Sequence, residues 1–447
     1  MYLRRLHVKN VKLLRDVEID FTNADGSPRM WTVFVGENRL CKTTLLQTIA
    51  VAASGPDKGT HLATDVIESW PDLRRPDGSI SIDAEFGFSA ARHVRRLYSP
   101  GVGVINRTFA VPPRLRTSVG LKVGRGVFEG VSRYDHPIEG GADADPLTWA
   151  RRENVGDWLV AGYGTSRLLR SSGTTDTSRR RDPSFDRLKP LFGADLIGTG
   201  FMDLLGPELA LGFARILQQV FVEGGLLPAV TQLELRGRGG IRSTSHLIDS
   251  QRFEMDILGD DGKRIRVPAT WLSQGYQSVI AWLADVVGQI LVEAGEVVPA
   301  AEMEGVVLVD EIDLHLHPTW QVQLVPALKK VFPRLQFIAT THSPMVLPAL
   351  TAEEVFILSR DDDGSVVAKQ SRQSPALLTG TEILESFFSL SGLYPTELAE
   401  KVQRYGRIAN DPTRSDADDV TLRLLRSELT KAGIEFDWIP VDRETGS

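Results

Sequence analysis

The chain opens with alternating apolar and polar residues. This alternation covers residues 3–8 and again 17–21, with a polar break around Lys9 and Asn10. Alternation with a period of two is typical of half-buried strands, so it predicts an antiparallel hairpin. Residues 31–35 form a short apolar run that stops at a glycine, which predicts a buried strand leading into a loop. Residues 45–53 then predict a helix.

The second half of the chain alternates short apolar runs with longer amphipathic segments. We predict strands and helices in the order helix 276–292, strand 306–309, helix 318–332, strand 336–340 and strand 355–358, followed by a mostly helical tail from residue 379. This order is typical of an α/β protein with a largely parallel sheet.

The middle of the chain predicts less regular structure. Strands are predicted at residues 79–88, 158–163, 230–236, 253–258 and 263–267, with a hairpin turn at 259–262. Residues 171–183 are rich in Ser, Thr, Asp and Arg and are predicted to form a mobile loop.

Composition narrows the class of protein. The 447 residues are 42% hydrophobic and 24% charged, as in ordinary soluble domains, and the length predicts two or three structural units. A net charge of -7 argues against nucleic-acid binding over the whole surface but leaves room for a local basic patch. The single cysteine excludes internal disulfides and favours a reducing, cytoplasmic setting. The longest apolar stretch, 279–292, is interrupted by Asp285, so no membrane span is expected.

The first candidate site lies between the strand at 31–35 and the helix that follows it. Its residues are Gly36, Glu37, Asn38, Arg39, Leu40, Cys41, Lys42, Thr43 and Thr44. They follow the phosphate-loop pattern G-x-x-x-x-G-K-[ST], in which backbone N–H groups hold phosphates. Lys42 would contact the β- and γ-phosphates, Thr43 would ligate Mg²⁺ and Thr44 would contact the α-phosphate. The alternative is a chance loop before an unrelated helix.

Cys41 departs from this pattern, because glycine is usual before the lysine. If the position requires a positive φ, a non-glycine residue costs about 1–2 kcal/mol there. Micromolar binding is worth about 8 kcal/mol, so we expect weaker nucleotide binding and not its loss. The helix N-terminus and Lys42 would favour a thiolate, which raises the hypothesis of redox-sensitive binding. Tolerated packing of the thiol is the simpler interpretation.

The second candidate site is the acidic pair Asp310 and Glu311, directly after the apolar run 306–309. A buried strand delivers such carboxylates to the edge of an α/β sheet where ligands bind. Asp310 would hold Mg²⁺, and Glu311 would orient or deprotonate the attacking water. The alternative is an acid-rich helix N-terminus.

The third candidate site identifies a family. Leu272-Ser273-Gln274-Gly275-Tyr276-Gln277, before a long helix, resembles the signature motif of ABC-type ATPases. The resemblance implies that the Ser273 hydroxyl and the helix N-terminus of one subunit meet the γ-phosphate bound by the other. Gly275 and Gln277 would belong to the same nucleotide site. Without the other motifs, a serine N-cap would explain this segment.

Two further segments agree with this family. His342, after the strand at 336–340, resembles its switch histidine, and Asp313 matches the segment that crosses its dimer interface. His315 and His317 lie nearby, but no third metal ligand is evident, so packing explains them better. Residues 310–318 together with 341–344 resemble the SMC/RecF-like and overcoming-lysogenisation-defect branch. Members of that branch often work beside a nuclease or another toxic effector in phage defence.

Three details around these motifs bear on the assignment. No glutamine loop of the transporter type is evident after the phosphate loop. Tyr163-Gly164-Thr165-Ser166-Arg167 resembles a Tyr-Gly-x-x-Arg segment of stand-alone ATPases, and Arg167 is left open between a phosphate, a partner and a surface loop. Residues 361–364, three aspartates and a glycine, predict a hairpin turn and not the acidic metal site of a TOPRIM nuclease. Any nuclease activity is therefore expected on a partner chain.

The expected fold is α/β: an ABC-type ATPase head with a phosphate-loop mixed sheet, a side antiparallel sheet, a large α+β insertion and a helical C-terminal tail. Residues 1–55 and 265–370 would form the core, 56–264 the insertion and 371–447 the helical region. The insertion would contact a partner or nucleic acid. Its basic clusters are Arg92, Arg95 and Arg96; Arg151 and Arg152; Arg179, Arg180 and Arg181; Arg236, Arg238 and Arg242.

The expected function is ATP hydrolysis with ATP and Mg²⁺ as cofactors, in a dimer or higher oligomer that couples nucleotide state to a separate effector such as a nuclease or toxin. Such a chain would be the sensor or motor subunit of an anti-phage system. The alternative is a nucleotide-dependent scaffold with slow or no hydrolysis that sequesters an effector. A DNA-repair ATPase and a soluble transporter ATPase fit less well.

Overall fold

The computed structural model describes residues 1–72, 74, 79–89, 92–99, 103–122, 126–135, 145–155, 157–167, 183–193, 207–227, 230–235, 253–258, 264–268, 272–388, 390 and 396–433. The chain divides into two compact units, Met1–Leu378 and Thr379–Ser447. The candidate site residues all belong to the first unit.

The strands and helices are numbered in chain order. The strands are β1 (Tyr2–Val11), β2 (Leu14–Asp20), β3 (Trp31–Val35), β4 (Ile80–Gly87), β5 (Arg92–Ser99), β6 (Gly103–Ala110), β7 (Arg114–Lys122), β8 (Val127–Tyr134), β9 (Val160–Tyr163), β10 (Val230–Leu235), β11 (Phe253–Leu258), β12 (Arg264–Pro268), β13 (Gly305–Val309), β14 (Leu335–Thr340), β15 (Val355–Arg360) and β16 (Val366–Gln370). The helices are α1 (Lys42–Ser54), α2 (Pro56–Leu62), α3 (Pro146–Arg152), α4 (Pro183–Asp186), α5 (Pro207–Gln218), α6 (Gln274–Ala294), α7 (Pro318–Val331), α8 (Gly380–Phe388), α9 (Thr396–Ala409) and α10 (Asp416–Lys431).

A mixed sheet of six strands carries the candidate site, in the order β16-β15-β3-β14-β13-β9. The strands from β15 to β9 are parallel, and β16 alone runs antiparallel, paired with β15. Every residue of β3, β13 and β14 is buried. Mostly apolar runs without alternation are typical of strands covered on both faces, which is why the sequence showed these strands in that form.

An antiparallel sheet of five strands accompanies the mixed sheet, in the order β2-β1-β4-β7-β8. The predicted hairpin at the start of the chain is β1 and β2, which pair through Leu6↔Ile19 and Val8↔Val17. Together the two sheets confirm the expected fold class, α/β with a mixed and a side antiparallel sheet.

Helix α1 packs against strands of both sheets. All of its residues except Thr43 are buried. Its apolar side chains, among them Leu45, Leu46 and Ile49, leave water on folding, which stabilises the fold. The position of this helix fixes the loop before it, since the loop joins β3 directly to α1.

Strands from the middle of the chain complete both sheets. β9 lies at one edge of the mixed sheet, and β4, β7 and β8 belong to the side sheet. The domain boundaries at residues 56 and 264 stay a prediction, but these sheets extend across them. Two smaller sheets, β5-β6 and β10-β11-β12, also come from this region. Three predicted features lie outside the described residues: the loop at 171–183 except its last residue, the turn at 259–262, and the arginines of the last two basic clusters.

The turn between β15 and β16 settles the interpretation of the three aspartates. Asp361 accepts a hydrogen bond from the Ser365 N–H at 2.7 Å, and Gly364 has a φ of 74°. A positive φ of this kind favours glycine. The segment is therefore the hairpin turn that the sequence predicted.

Helix α6 is the most hydrophobic long helix among the described residues. Its length and composition would allow it to cross a membrane, but 83% of its most apolar 18-residue stretch is buried inside the protein. Within it, the buried carboxylate of Asp285 accepts a hydrogen bond from the Tyr163 hydroxyl at 2.6 Å. Burial raises the pKa of Asp285 to about 6. α6 is thus a core helix attached to the end of β9.

The second unit contains α8, α9 and α10, in agreement with the mostly helical tail predicted from residue 379. Apolar residues of α9 and α10 form its core: Tyr405, Ala409, Leu422, Leu425 and Leu429. Ser415 and Asp418 form a reciprocal capping box at the start of α10, which satisfies N–H groups that the helix itself leaves unpaired.

Candidate active site

The candidate site residues lie at the carboxyl ends of adjacent parallel strands. The phosphate loop follows β3, His342 lies just past β14, and Asp310 and Glu311 follow β13 directly. Arg167 lies just past β9, the neighbour of β13. Because parallel strands end at the same edge of a sheet, these residues converge although they are far apart in sequence.

The phosphate loop has the backbone conformation that its pattern requires. Gly36 has a φ of 145°, and a Cβ there would lie 2.6 Å from the Leu358 carbonyl oxygen, so only glycine fits. Arg39 and Cys41 are left-handed, with φ values of 69° and 60°. The position of Cys41 therefore does need a positive φ, as glycine's usual presence there suggested. Leu40 is buried beneath the loop.

Lys42 is held inside the loop. Its Nζ donates hydrogen bonds to the main-chain oxygens of Gly36, at 2.8 Å, and Glu37, at 2.7 Å. Burial lowers the pKa of Lys42, against the opposing effect of Asp310 and Glu311. The ammonium group thus lies at the centre of the loop, close to the carboxylates that follow β13.

Hydroxyl groups connect the loop to Asp310. The Thr43 hydroxyl donates to one carboxylate oxygen at 2.7 Å, and the Thr340 hydroxyl donates to the other at 2.6 Å. Thr340 in turn accepts a hydrogen bond from the Glu311 N–H at 2.7 Å. A hydroxyl and a carboxylate oxygen are hard ligands of the kind that Mg²⁺ prefers. The two residues predicted to hold the metal, Thr43 and Asp310, are therefore adjacent.

Glu311 and His342 are both half-buried. Burial, followed by the charges of Asp310 and Asp313, raises the pKa of Glu311. Burial, followed by the charge of Lys42, lowers the pKa of His342. These shifts favour a carboxylate that binds a proton more readily than usual and an imidazole that is neutral near neutral pH.

Asp313 is held at the same edge. It accepts a hydrogen bond from the Thr341 hydroxyl, and Gln321 donates to its main-chain oxygen at 3.4 Å. His317 accepts from the Thr319 N–H and so caps α7. Among the described residues, no group of three or more His, Cys, Asp and Glu side chains could hold a metal ion.

The signature segment lies at the start of α6, where Ser273 is the N-cap residue. Its side chain is exposed and makes no capping hydrogen bond to the helix. Gly275 is buried against the His315 carbonyl oxygen, which would lie 2.3 Å from a Cβ at this position. Gln277 donates to the Leu272 carbonyl oxygen at 2.8 Å. The packing fixes the helix start and leaves the serine at the surface.

Sequence reasoning missed two contributors to the site. Thr340 connects Asp310 to Glu311, yet in the sequence it is only the polar end of an apolar strand. Lys12, at the tip of the first hairpin, donates to the Thr44 hydroxyl at 3.2 Å. Its left-handed φ of 51° was not evident in the sequence. Arg167, left open by the sequence, is buried beside Glu311.

The hypothesis of a Cys41 thiolate is wrong. Burial raises the pKa of Cys41, and this effect exceeds the lowering caused by a backbone hydrogen bond to Leu13 and by the charge of Lys12. The thiol packs against the hydrophobic core of the first unit. A neutral, half-buried thiol reacts slowly with oxidants, so the packing interpretation is the one that stands.

We expect Cys41→Gly to change nucleotide affinity by less than about threefold, because the loop already has the glycine-like conformation. Relief of the left-handed backbone, about 1 kcal/mol, is offset by lost thiol packing and by the greater chain entropy of glycine. Titration with a fluorescent ATP analogue measures the affinity, and Cys41→Ala is the matched control. A tenfold gain for glycine would show that Cys41 distorts the loop.

This arrangement of loop, acidic pair, histidine and exposed signature on a mixed sheet is that of an ABC-type ATPase head, as the resemblance predicted. Residues 230–347 match the family model described as "AAA domain, putative AbiEii toxin, Type IV TA system". The match contains the signature, the acidic pair and the histidine, and it begins after the phosphate loop.

Relatives extend over more of the chain. It is 25% identical to the "Septu protein PtuA" of Bacillus mycoides, over 96% of this chain and 50% of that protein. It is 37% identical to the "Retron Ec83 probable ATPase" of Escherichia coli, over 42% of this chain and 36% of that one. The chain thus spans half or less of the length of these relatives. The chain is thus similar to a Septu protein and to a probable ATPase of a retron, in agreement with the predicted relation to ABC-type ATPases.

Solved structures of SMC heads are also similar. The "SMC head domain from Thermotoga maritima" superposes with a TM-score of 0.42 at 15% identity, covering 83% of this chain and all of that one. An SMC head bound to the C-terminal winged-helix domain of ScpA gives 0.48 at 15% identity, with 85% of this chain and all of that one covered. These scores are low, and the fold assignment rests on the strand order and the site.

Proposed function

We propose that the chain hydrolyses ATP in a dimer, with each nucleotide held between two heads. The observation that carries this proposal is the convergence of Lys42, the Thr43–Asp310 pair, Glu311 and His342 at one edge of the mixed sheet. Phosphoryl transfer to water needs little covalent chemistry from a protein. It needs positioned charges and a positioned water, which these groups would supply.

The phosphates would bind to the N–H groups of residues 36–41 and to the N-terminus of α1. Lys42 would exchange its two carbonyl partners for the β- and γ-phosphates. Thr43 and Asp310 would hold Mg²⁺. When bound, this ion would neutralise the charge that develops on the phosphate oxygens. Lys12 lies close enough to Thr44 to add positive charge near the α-phosphate.

Glu311 would orient the attacking water and accept its proton at a carboxylate oxygen. The raised pKa of this carboxylate makes it a better base than a free glutamate, provided it remains ionised at the working pH. His342, with its lowered pKa, would contact the γ-phosphate as a neutral imidazole. Asp313 would lie at the contact between the two heads, as the resemblance implies.

The signature would complete the site of the partner head. Ser273 is exposed at a helix N-terminus, and its side chain makes no capping bond within its own helix. A free hydroxyl beside a helix N-terminus suits an anion that arrives from outside, such as a γ-phosphate on a second copy of the chain. Gly275 and Gln277 would hold this helix start in shape.

We expect Ser273→Arg to lower ATP turnover by about 100-fold or more while nucleotide affinity of the isolated chain stays within a few-fold, because a bulky cation at the helix start prevents head closure. Light scattering with ATP and Mg²⁺ reports the dimer, and steady-state phosphate release reports turnover. Glu302→Arg, at an exposed position that follows α6 in the chain, is the control. Wild-type turnover in Ser273→Arg would exclude action across a dimer.

The scaffold alternative depends on slow hydrolysis. Cys41 is the residue on which this alternative rested. It has the left-handed conformation that glycine would have, so its presence does not indicate a phosphate loop that binds nucleotide poorly. Turnover measured beside equilibrium ATP affinity separates the two functions. Tight binding with turnover near zero would favour the scaffold.

We also propose that the chain acts in anti-phage defence in the cytoplasm with a separate effector, such as a nuclease or toxin. The names of the relatives, a Septu protein and a probable ATPase of a retron, support this setting. Contact with nucleic acid through the basic clusters stays a prediction, as their side chains lie largely outside the described residues. A tagged pull-down from cells that express the neighbouring genes tests the effector proposal.

A further inference from the structure

Arg167 is a buried cation at the catalytic edge of the sheet. The residue is 2% exposed, and it lies four residues past the end of β9, the strand beside β13. Its Nη2 donates a hydrogen bond to the main-chain oxygen of Glu311. A buried arginine costs desolvation free energy, so its surroundings must compensate the charge.

Three carboxylates supply this compensation. Burial lowers the pKa of Arg167 to about 10, and the charges of Asp310, Asp313 and Glu311, in that order of effect, oppose this lowering. Two further guanidinium nitrogens, Nε and Nη1, are buried and have no hydrogen-bond partner within the part of the chain that the structure describes. Arg167 therefore lies near Asp310, Glu311 and Asp313 with two nitrogen donors that make no hydrogen bond within the described part of the chain.

Arg167 is one of the groups that hold a strained backbone at Glu311. The Glu311 φ of 46° is left-handed, which is unfavourable for glutamate and persists only where neighbours fix it. The Glu311 N–H donates to Thr340, and the Glu311 oxygen accepts from Arg167 and from the Leu314 N–H, the latter at 2.9 Å. Both main-chain polar groups of the residue are thus fixed from opposite sides, and they set the direction of its side chain.

Arg167 is itself anchored. Tyr163, four residues earlier, is fully buried and donates to Asp285 in the core helix α6 at 2.6 Å. The Gly164 N–H donates to the Pro190 oxygen at 3.0 Å. The segment that leads to the guanidinium is therefore fixed to the core, and α6 is also the helix that begins at Ser273.

We propose that Arg167 is a positioning residue of the ATPase centre that holds the strained main chain of Glu311 and sets the direction of its carboxylate. This inference rests on the proposed function, since Glu311 has a task only if water is activated there. It adds a residue that none of the four motifs contains.

The test compares three variants of the full-length chain. Arg167→Met removes the guanidinium and keeps a long apolar side chain, Arg167→Lys keeps the charge, and Arg5→Met removes an exposed arginine far from the site. For Arg167→Met we expect kcat to fall by about 100-fold, because misplacing a catalytic group mainly affects the chemical step. KM and the affinity for a non-hydrolysable ATP analogue should stay within about threefold of the wild-type values. Arg167→Lys should recover part of kcat, and Arg5→Met should match the wild type.

A second measurement reads the position of Glu311 without turnover. Hydrogen exchange of the peptide covering residues 306–317 should speed up in Arg167→Met and stay at the wild-type rate in Arg5→Met. If Arg167→Met does not fold, the same comparison with Arg167→Lys decides: a positioning role predicts reduced kcat and faster exchange despite the retained charge.

Two outcomes overturn the proposal. One is wild-type kcat and exchange in the Arg167 variants, and the other is a loss that lies in nucleotide affinity and not in kcat. Failure of the proposed function is a separate result, because a wild-type chain that hydrolyses no ATP would show it directly. In that case the exchange measurement still tests whether Arg167 holds Glu311.

Discussion

Glu311→Gln is expected to lower ATP turnover by about 100-fold or more, the usual contribution of a general base, while ATP affinity stays within a few-fold of the wild type. The amide keeps the size of the side chain and its main-chain bonds to Thr340 and Arg167. It cannot accept a proton from water. With binding intact and hydrolysis blocked, an ATP-bound dimer should accumulate, which light scattering with ATP and Mg²⁺ measures.

The control for this experiment is Glu353→Gln, which removes an exposed carboxylate of the same unit away from the candidate site residues. It should hydrolyse ATP at the wild-type rate and show no persistent dimer. A Glu311→Gln protein that turns over ATP normally would remove Glu311 from the chemistry, and with it the ATPase centre as proposed.

Lys42→Ala is expected to weaken ATP binding by about 100-fold, since hydrogen bonds to charged groups contribute about 1.5–3 kcal/mol each and this ammonium would make more than one. The buried Nζ is already directed into the loop, where it donates to Gly36 and Glu37. Its loss leaves the phosphates without their central cation. Isothermal titration with ATP and Mg²⁺ measures the change.

Lys330→Ala, an exposed lysine near the end of α7, is the matched control and should bind ATP as the wild type does. The two lysine variants should have similar melting temperatures without nucleotide. Only the wild type and Lys330→Ala should then gain thermal stability when ATP is added, because a ligand stabilises only a state that binds it. Equal affinity in Lys42→Ala would contradict a phosphate site in this loop.

Local chemistry explains why so much of the fold was predictable. The strands β3, β13 and β14 appear as mostly apolar runs without alternation, interrupted by Thr32 and Gln336, because both of their faces are buried. β1 and β2 appear as alternation because only part of each strand faces the core. Each strand or helix is made of consecutive residues, so its pattern of apolar and polar positions is visible in the sequence.

Pairings between distant strands were not predictable in the same way. β9 joins the edge of the mixed sheet, and β4 joins β1, from a region that the sequence presented as an insertion. The order of the strands in a sheet is decided by the total burial of apolar surface and by backbone hydrogen bonds. Neither can be read from a single short segment of the sequence.

By itself the sequence determined the motifs, since a phosphate loop, an acidic pair, a signature and a histidine are each short runs of residues. It also determined the α/β alternation that places them at strand ends. Only the tertiary structure decided how these groups act on one another. The cysteine pKa is raised because burial outweighs the backbone hydrogen bond to Leu13 and the charge of Lys12. Arg167 reaches Glu311 across 144 positions because two parallel strands end together. Desolvation and contact depend on packing in three dimensions, and the sequence alone does not contain these distances.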